Sequence, residues 1–241
     1  MSMKTIIFLI CVVFSTTLIA KDGRLDYYKN RYKVNCLNEK ITDNFGNKFD
    51  ELYGTRNMRT ILYGIAYRGG ANNFYHKIDK RDNHNPLPND GLQNLVDEGF
   101  SQAIYLYSTN FSTAKTQYIS HDKTDTLDYY QISGNSEKEI KEILDRVYKI
   151  INDTSLGPIY LHCWNGWHQS GYVSSAILKQ FCGYSDEQAL AYWKMNTDGV
   201  TKGYDKVQKK VLDFTPFPDL KISKERQNEI CPCEKNINVN N

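Results

Sequence analysis

The sequence predicts an α/β fold with a central, largely parallel sheet flanked by helices. Three observations carry this reading. Two short apolar runs, AIYLYS from Ala103 and IYLHC from Ile159, have the length and composition of buried strands. Between them, SEKEIKEILDRVYKIIND places Ile140, Ile143, Leu144, Val147, Ile150 and Ile151 three and four residues apart, the period of one helical face. A second strand–helix alternation follows IYLHC, and strands that alternate with helices pack as a sheet with covered faces.

Taken in order, Lys21 to Asn57 is polar, rich in Asn, Lys and Tyr, and shows no sustained period, so 21–57 reads as an irregular N-terminal extension. The domain proper spans 58–214. ILYGIAYRGG reads as a strand that runs into a turn at Gly69 and Gly70. Asn72 to Asp90 is a long polar loop. GLQNLVDEGF then sets Leu92, Leu95 and Val96 on one helical face and stops at Gly99. Thr109 to Asp128 is polar again, and Tyr129 to Ile132 is a short strand. Ser136 and Glu139 form a capping-box pattern at the head of the long helix. After IYLHC, a helix beginning near Ser170 turns Val173, Ala176, Ile177 and Phe181 inward and closes at Gly183. Ser185 and Gln188 cap a third helix through Trp193, and Lys206 to Phe214 makes a fourth. Residues 215–241 read as a C-terminal tail.

Composition limits the function. With 241 residues, 40% of them apolar, the chain can bury a substantial core and is not intrinsically disordered. The 30 Lys and Arg against 28 Asp and Glu leave a net charge of +2, too little surplus for a nucleic-acid partner held by its phosphates. Thr5 to Ala20 is an uncharged apolar run behind Lys4, with a small-residue tail before the charged KDGR. Residues 1–20 therefore read as a signal peptide cleaved after Ala20, which implies a secreted or periplasmic protein with no stable membrane anchor after cleavage. The alternative, an uncleaved anchor, meets a run that is short for a span of ~20 residues.

Export bears on the cysteines. Cys11 leaves with the signal, and five remain: Cys36, Cys163, Cys182, Cys231 and Cys233. An odd number in an oxidising compartment implies one free thiol. With Cys163 as that thiol, the other four allow three pairings, and Cys36 with the Cys231–Cys233 pair could fasten the chain ends together. No second Cys or His pair stands at zinc-ligand spacing from Cys231 and Cys233, so no metal site is expected.

The chemistry concentrates in HCWNGWHQSG, His162 to Gly171. A strand that stops at a cysteine, crosses a tight glycine-containing loop and enters a helix is built to hold an oxyanion. Loop amides turn inward, and the helix N-terminus adds partial positive charge. Trp164, Asn165, Gly166, Trp167, His168 and Gln169 would form the phosphate cradle. The same field favours a nucleophilic thiolate at Cys163. Ser170 could hydrogen-bond the sulfur and assist its departure, while His162 braces the loop. Trp164 and Trp167 read as packing residues, with an aromatic wall around the ligand as the alternative. His76, His84 and His121 sit in polar segments and read as solvated.

This segment resembles the signature of the cysteine-dependent protein tyrosine and dual-specificity phosphatases: His-Cys, two residues, Gly, two residues, Arg, then Ser or Thr. His162, Cys163, Gly166 and Ser170 match in type and spacing, and Gly171 follows. Upstream, AYRGGAN from Ala66 to Asn72, a helix ending in Gly, AIYLYS and LDYYQIS follow the order of compact atypical dual-specificity members. The resemblance covers Leu62 to Trp193 and implies hydrolysis of phosphate monoesters through a phosphocysteine, with no metal or organic cofactor.

Two departures accompany it. Gln169 stands at the arginine position, where the family presents a permanently charged fork to the phosphoryl oxygens. An arginine acting on a transferring phosphoryl group is worth roughly 10³ to 10⁵ in rate, so turnover should be weakened unless His168 or Arg68 supplies a cation. The resemblance also calls for an aspartic general acid after the strand Tyr129 to Ile132, but that loop reads SGNSEKE. Glu137 belongs to the helix cap, and Asp128, before the strand, is the candidate acid. The expectation is an exported phosphatase-like protein of weakened activity whose partner is a phosphorylated substrate or ligand. The alternatives are an inactive pseudophosphatase that binds phosphate or a phosphorylated ligand, and a rhodanese-type sulfur carrier, whose loop spacing fits less well.

Overall fold

The computed structural model describes residues 23–71 and 87–232. The proposed signal peptide, His76, His84 and Cys233 lie outside these residues.

Six strands form one sheet in the order β1-β2-β6-β3-β5-β4. They are β1 (Thr55–Leu62), β2 (Ala66–Ala71), β3 (Gln102–Tyr105), β4 (Gln117–Ile119), β5 (Thr126–Gln131) and β6 (Ile159–Cys163). The central four, β2, β6, β3 and β5, are parallel, and an antiparallel strand closes each edge. The α/β class with a largely parallel sheet is therefore the fold this chain has.

Strand alternation divides the core into two layers. Ile159 and Leu161 of β6 and Ile104 of β3 pack with α3 (Glu137–Asn152), α4 (His168–Ile177) and α5 (Asp186–Met195). Tyr160, Ala103 and Tyr105 point to the opposite face, against α1 (Gly23–Tyr32) and α2 (Asn89–Asp97). His162 and Cys163 are adjacent and so face opposite layers. Cys163 is in phase with Ile159 and Leu161, under α4, whereas His162 stacks among Tyr105, Tyr129 and Tyr160.

Helix α3 begins on the expected capping box, with Ser136 accepting from the Glu139 amide and the Glu139 carboxylate answering. Ser185 and Gln188 repeat the device at α5. Gly183, at φ +73, ends the helical run from α4 through a π-helical turn at Leu178–Cys182.

The structure differs from the sequence reading in four places. Part of 21–57 is regular: α1 buries Leu25, Tyr28 and Tyr32. Its inward face is tyrosine-rich and polar at the tip, with Tyr28 donating to the Glu98 carbonyl (2.8 Å) and Tyr32 to its carboxylate (3.1 Å), so no apolar period marks it. ILYGIAYRGG is a hairpin and not one strand. β1 ends at Leu62, Gly64 turns at φ +63, and Gly69 and Gly70 lie inside β2. The polar stretch before β5 contains the edge strand β4. The tail contains α7 (Lys224–Ile230), preceded in sequence by α6 (Asp205–Asp213).

A disulfide joins Cys182, at the end of the π turn, to Cys231, just after α7. Cys231 thus fastens the tail to the helical layer and does not reach Cys36.

Candidate active site

Parallel strands deliver their loops to one end of a sheet, and β6 ends there at Cys163. The loop Trp164–Trp167 leads into α4, whose first turn holds His168, Gln169 and Ser170. The Cys163 thiol is 3% exposed and opens on a cavity of about 130 Å³ lined by Tyr107, Asn165, His168, Gln169, Tyr204 and Val207.

Glycine makes the loop possible. A Cβ on Gly70 would strike the Trp164 carbonyl, and one on Gly166 would come within 2.6 Å of the Gly69 backbone. The glycine pair of β2 thus lets the loop lie directly on the strand, and Gly166 turns at φ +72.

The loop is held from behind by its carbonyls. Ala71 N–H donates to Trp164 O (2.9 Å), and Asn57 Nδ2 donates to Asn165 O (3.1 Å). Arg68, fully buried on β2, donates through Nη2 to the carbonyls of Gly166 and Trp167, the latter at 2.9 Å. In a trans peptide the N–H points opposite to its carbonyl. Pinning the Trp164, Gly166 and Trp167 carbonyls therefore turns the amides of Asn165, Trp167 and His168 away from β2 and Arg68.

Ser170 is completely buried, with Oγ 3.4 Å from Cys163 Sγ. Arg68 Nη2 lies 3.4 Å from the same oxygen. An oxygen that accepts from Arg68 keeps its own hydrogen to donate to sulfur.

His162 is a brace. Its Nε2 lies 2.8 Å from Tyr129 Oη and its Nδ1 3.2 Å from the Cys163 carbonyl. Burial lowers its pKa from the ordinary 6.5 to about 4, so the ring is neutral at pH 7.

The two candidate replacement cations are otherwise engaged. Arg68 gives Nη2 to the loop carbonyls and Nη1 to Tyr192 Oη (3.4 Å). His168 bonds the Val200 carbonyl through Nε2 (2.7 Å) and stacks on Tyr204 at 3.4 Å between ring centres. Burial holds its pKa below the ordinary range, outweighing the Val200 bond.

Gln169 reaches the cavity wall but turns its amide elsewhere. Nε2 donates to the Ser133 carbonyl and lies 3.4 Å from Asn135 Oδ1, so both hydrogens go to the loop before α3. Gln169 closes the site against Ser133–Asn135 and offers no free donor to a ligand.

Asp128 is not the acid of this site. The register pairs Asp128 with Gln102 of β3 and Gln102 with Ile159 of β6. Asp128 therefore stands level with Ile159, four residues before Cys163, about 13 Å away along the strands at ~3.3 Å per residue. It accepts instead from Gln117 Nε2 (3.0 Å) and Tyr130 Oη (3.3 Å). Nor does Glu139 serve. Hydrogen bonds from Ser133, Ser136 and Asn135 outweigh burial and hold its pKa at about 2. Among the described residues, no carboxylate lines the Cys163 cavity.

The indoles stay out of the cavity. Trp164 lies under the Arg56 guanidinium, 5.6 Å from its ring centre, and Trp167 donates from Nε1 to Asp198 (3.1 Å). Asp198 also meets Arg59 (3.2 Å) and Lys40 (2.9 Å), and Arg59 donates to Asn57 Oδ1 at 2.6 Å. Asn57, Arg59 and Asp198 thus frame the loop from outside. No spacing in the sequence marks them, since they come from β1 and the loop after α5. Tyr107 was legible only as part of a strand. It lies just past the β3 end that pairs with His162, and burial, then charge on Cys163, keeps its hydroxyl protonated. Among the described residues, no three His, Cys, Asp or Glu side chains are grouped to hold a metal ion.

No protein-family model matches the sequence, and comparison with curated proteins finds no match. Several solved structures are similar in shape. One is the core catalytic domain of the PP-IP phosphatase SIW14 from S. cerevisiae, in complex with citrate. It is 15% identical over 66% of this chain and 85% of its own, with a TM-score of 0.43. TpbA of P. aeruginosa is 14% identical over 67% and 88%, at 0.41. Tk-PTP in its active form is 17% identical over 63% and 94%, at 0.40.

Proposed function

We propose that the Cys163 loop binds the phosphoryl group of a phosphate monoester and that the chain is a cysteine-dependent, phosphatase-like protein of strongly reduced turnover. The carrying observation is the pairing of a buried Cys163 Sγ with Ser170 Oγ at the mouth of α4, below a loop whose carbonyls are pinned outward by Arg68. Amides turned toward the ligand side, the helix N-terminus and a thiol at the floor suit a tetrahedral oxyanion and a nucleophile that attacks it. Ser170 suits the second step, since a hydroxyl that donates to the sulfur eases its departure from phosphorus.

Slow chemistry follows from what surrounds the thiol. The arginine position holds a glutamine whose donors are spent, and among the described residues no carboxylate lines the cavity. The same two observations favour a second reading, a binding module that holds a phosphorylated ligand without turning it over. Export accords with the Cys182–Cys231 disulfide, a bond that persists in oxidising compartments.

The test pairs a phosphate-release assay over aryl, inositol and nucleotide phosphates with calorimetric titration of inorganic phosphate. Release that disappears in Cys163→Ser supports the enzyme. Phosphate binding without release supports the module. A folded protein that neither binds nor releases phosphate rejects both.

A further inference from the structure

We propose that Lys210 is the cation that stabilises an anion bound at the Cys163 site. The proposal rests on the anion-binding reading above.

A doubly charged phosphoryl group held only by neutral amides lacks a counter-charge, and among the described residues the nearer side chains do not supply one. Gln169 is neutral with both amide hydrogens engaged, Arg68 is behind the loop, and His168 is neutral and tied to Val200. Lys210 approaches from α6. Its Nζ donates to Asn135 Oδ1 at 3.0 Å, the same oxygen that receives the Gln169 amide. The ammonium therefore lies within the length of two hydrogen bonds of the side chain at the arginine position.

The helices support the same placement. Gln169 and Val207 line the Cys163 cavity, whereas Tyr172 and Lys210, three residues further along α4 and α6, line the next cavity, of about 380 Å³. One helical turn, about 5 Å, separates the two positions. Lys210 Nζ lies over the Tyr172 ring, 5.6 Å from its centre. Among the described residues Lys210 is in no ion pair, while neighbouring Lys209 is held by Asp213 at 2.8 Å. Glu137 and Asp213 line the same cavity as Lys210, Asp213 being paired with Lys209, and Asn135 is the tether. A four-carbon stem with a rotatable ammonium can leave a neutral tether for an arriving anion.

The test is calorimetric titration of inorganic phosphate into the full chain with its disulfide intact, at one fixed ionic strength. Loss of one charge-assisted contact predicts roughly 10-fold weaker binding, or more, in Lys210→Met. Lys210→Arg should stay within about 3-fold of the parent, and Lys209→Met should change little, since exposed paired charges contribute little. Asn135→Ala, which removes the tether and keeps the charge, should tighten binding. Unchanged affinity in a folded Lys210→Met, equal losses in the Lys209 and Lys210 variants, or weakening in Asn135→Ala would each overturn the role. Parent binding that is abolished by alkylating Cys163 but insensitive to Lys210 would leave the site reading standing and remove only this proposal. A parent that binds no phosphate removes both.

Discussion

Arg68 Nη2 stands 2.9 Å from the Trp167 carbonyl, and the same nitrogen reaches the Gly166 carbonyl and Ser170 Oγ. A permanently charged group thus serves the loop's peptide oxygens and sets the direction of the amides that follow them. Arg68→Lys keeps the charge and loses the fork. With two charge-assisted bonds at stake, each ~1.5–3 kcal/mol, we expect about 2 kcal/mol or more of destabilisation in urea. Phosphate affinity should fall with it. A variant as stable as the parent with unaltered phosphate binding would contradict this assignment.

His162 gives the protein an acid weakness. Its folded pKa of about 4 lies below the ordinary 6.5, so the folded state binds fewer protons than the unfolded state between those values. Stability contributed by the neutral ring is whole above about pH 6.5 and is lost as the pH falls toward 4. Melting temperatures followed across this range should decline in the parent. His162→Phe keeps the aromatic stack and should show a shallower decline, and an equal slope in both proteins would rule out His162 as the source.

The glycine pair of β2 is a contact surface. Gly70→Ala drives a Cβ into the Trp164 carbonyl, and overpacking against backbone costs about 1–3 kcal/mol. The loop should shift as well, seen as slower alkylation of Cys163. Gly23→Ala, where an added Cβ meets nothing within 4 Å, is the matched control and should alter neither quantity.

Asp198 joins Trp167 to Arg59 and Lys40. Burial pushes its carboxyl upward, but Lys40, Asn44 and Arg59 outweigh burial and hold it below the ordinary carboxylate range. Its stabilisation is therefore present above the ordinary range and is lost as the pH falls through the lowered value. Asp198→Asn leaves the buried Arg59 without its anion and should cost about 2–4 kcal/mol at pH 7, toward the lower end because Asp198 is partly exposed. Tryptophan emission from Trp167 should change in the same variant. Intact stability at pH 7 would show that Arg59 is neutralised elsewhere.

Reducing the Cys182–Cys231 bond removes a cross-link with a sequence separation of 49 residues. The chain-entropy relation puts this at roughly 4 kcal/mol. Urea midpoints with and without reductant should differ accordingly, and coincident midpoints would mean that α7 adds nothing to the cooperative core.

How much of this was legible in the sequence depends on the kind of signal. α3 and α5 announced themselves through period and capping residues, and β3 and β6 through short apolar runs, because burial on one or both faces leaves a pattern in the chain itself. α1 did not, since Tyr28 and Tyr32 bury their rings while reaching Glu98 with their hydroxyls. The pair Gly69-Gly70 looked like a turn because glycine marks both a reversal and a close approach, and only the packed loop tells them apart. Cys163, Ser170 and Gln169 were singled out by spacing, and the structure places them at one loop and helix start. Asp128 was misplaced because sequence order does not reveal register: it shares a strand with residues near the site but occupies the wrong end. Asn57, Arg59 and Asp198 left no signal, being brought to the loop from distant segments by tertiary folding alone.

The Cys182–Cys231 bond makes a covalent ring of α5, α6 and α7. A protease that clips any one peptide inside that ring cannot release either fragment. The nicked chain would gain only the one water of hydrolysis and run as a single species until a thiol is added. The segments around Gly199 and Gly203 can therefore be cut with the thiol-bearing half and the Lys210 half still joined.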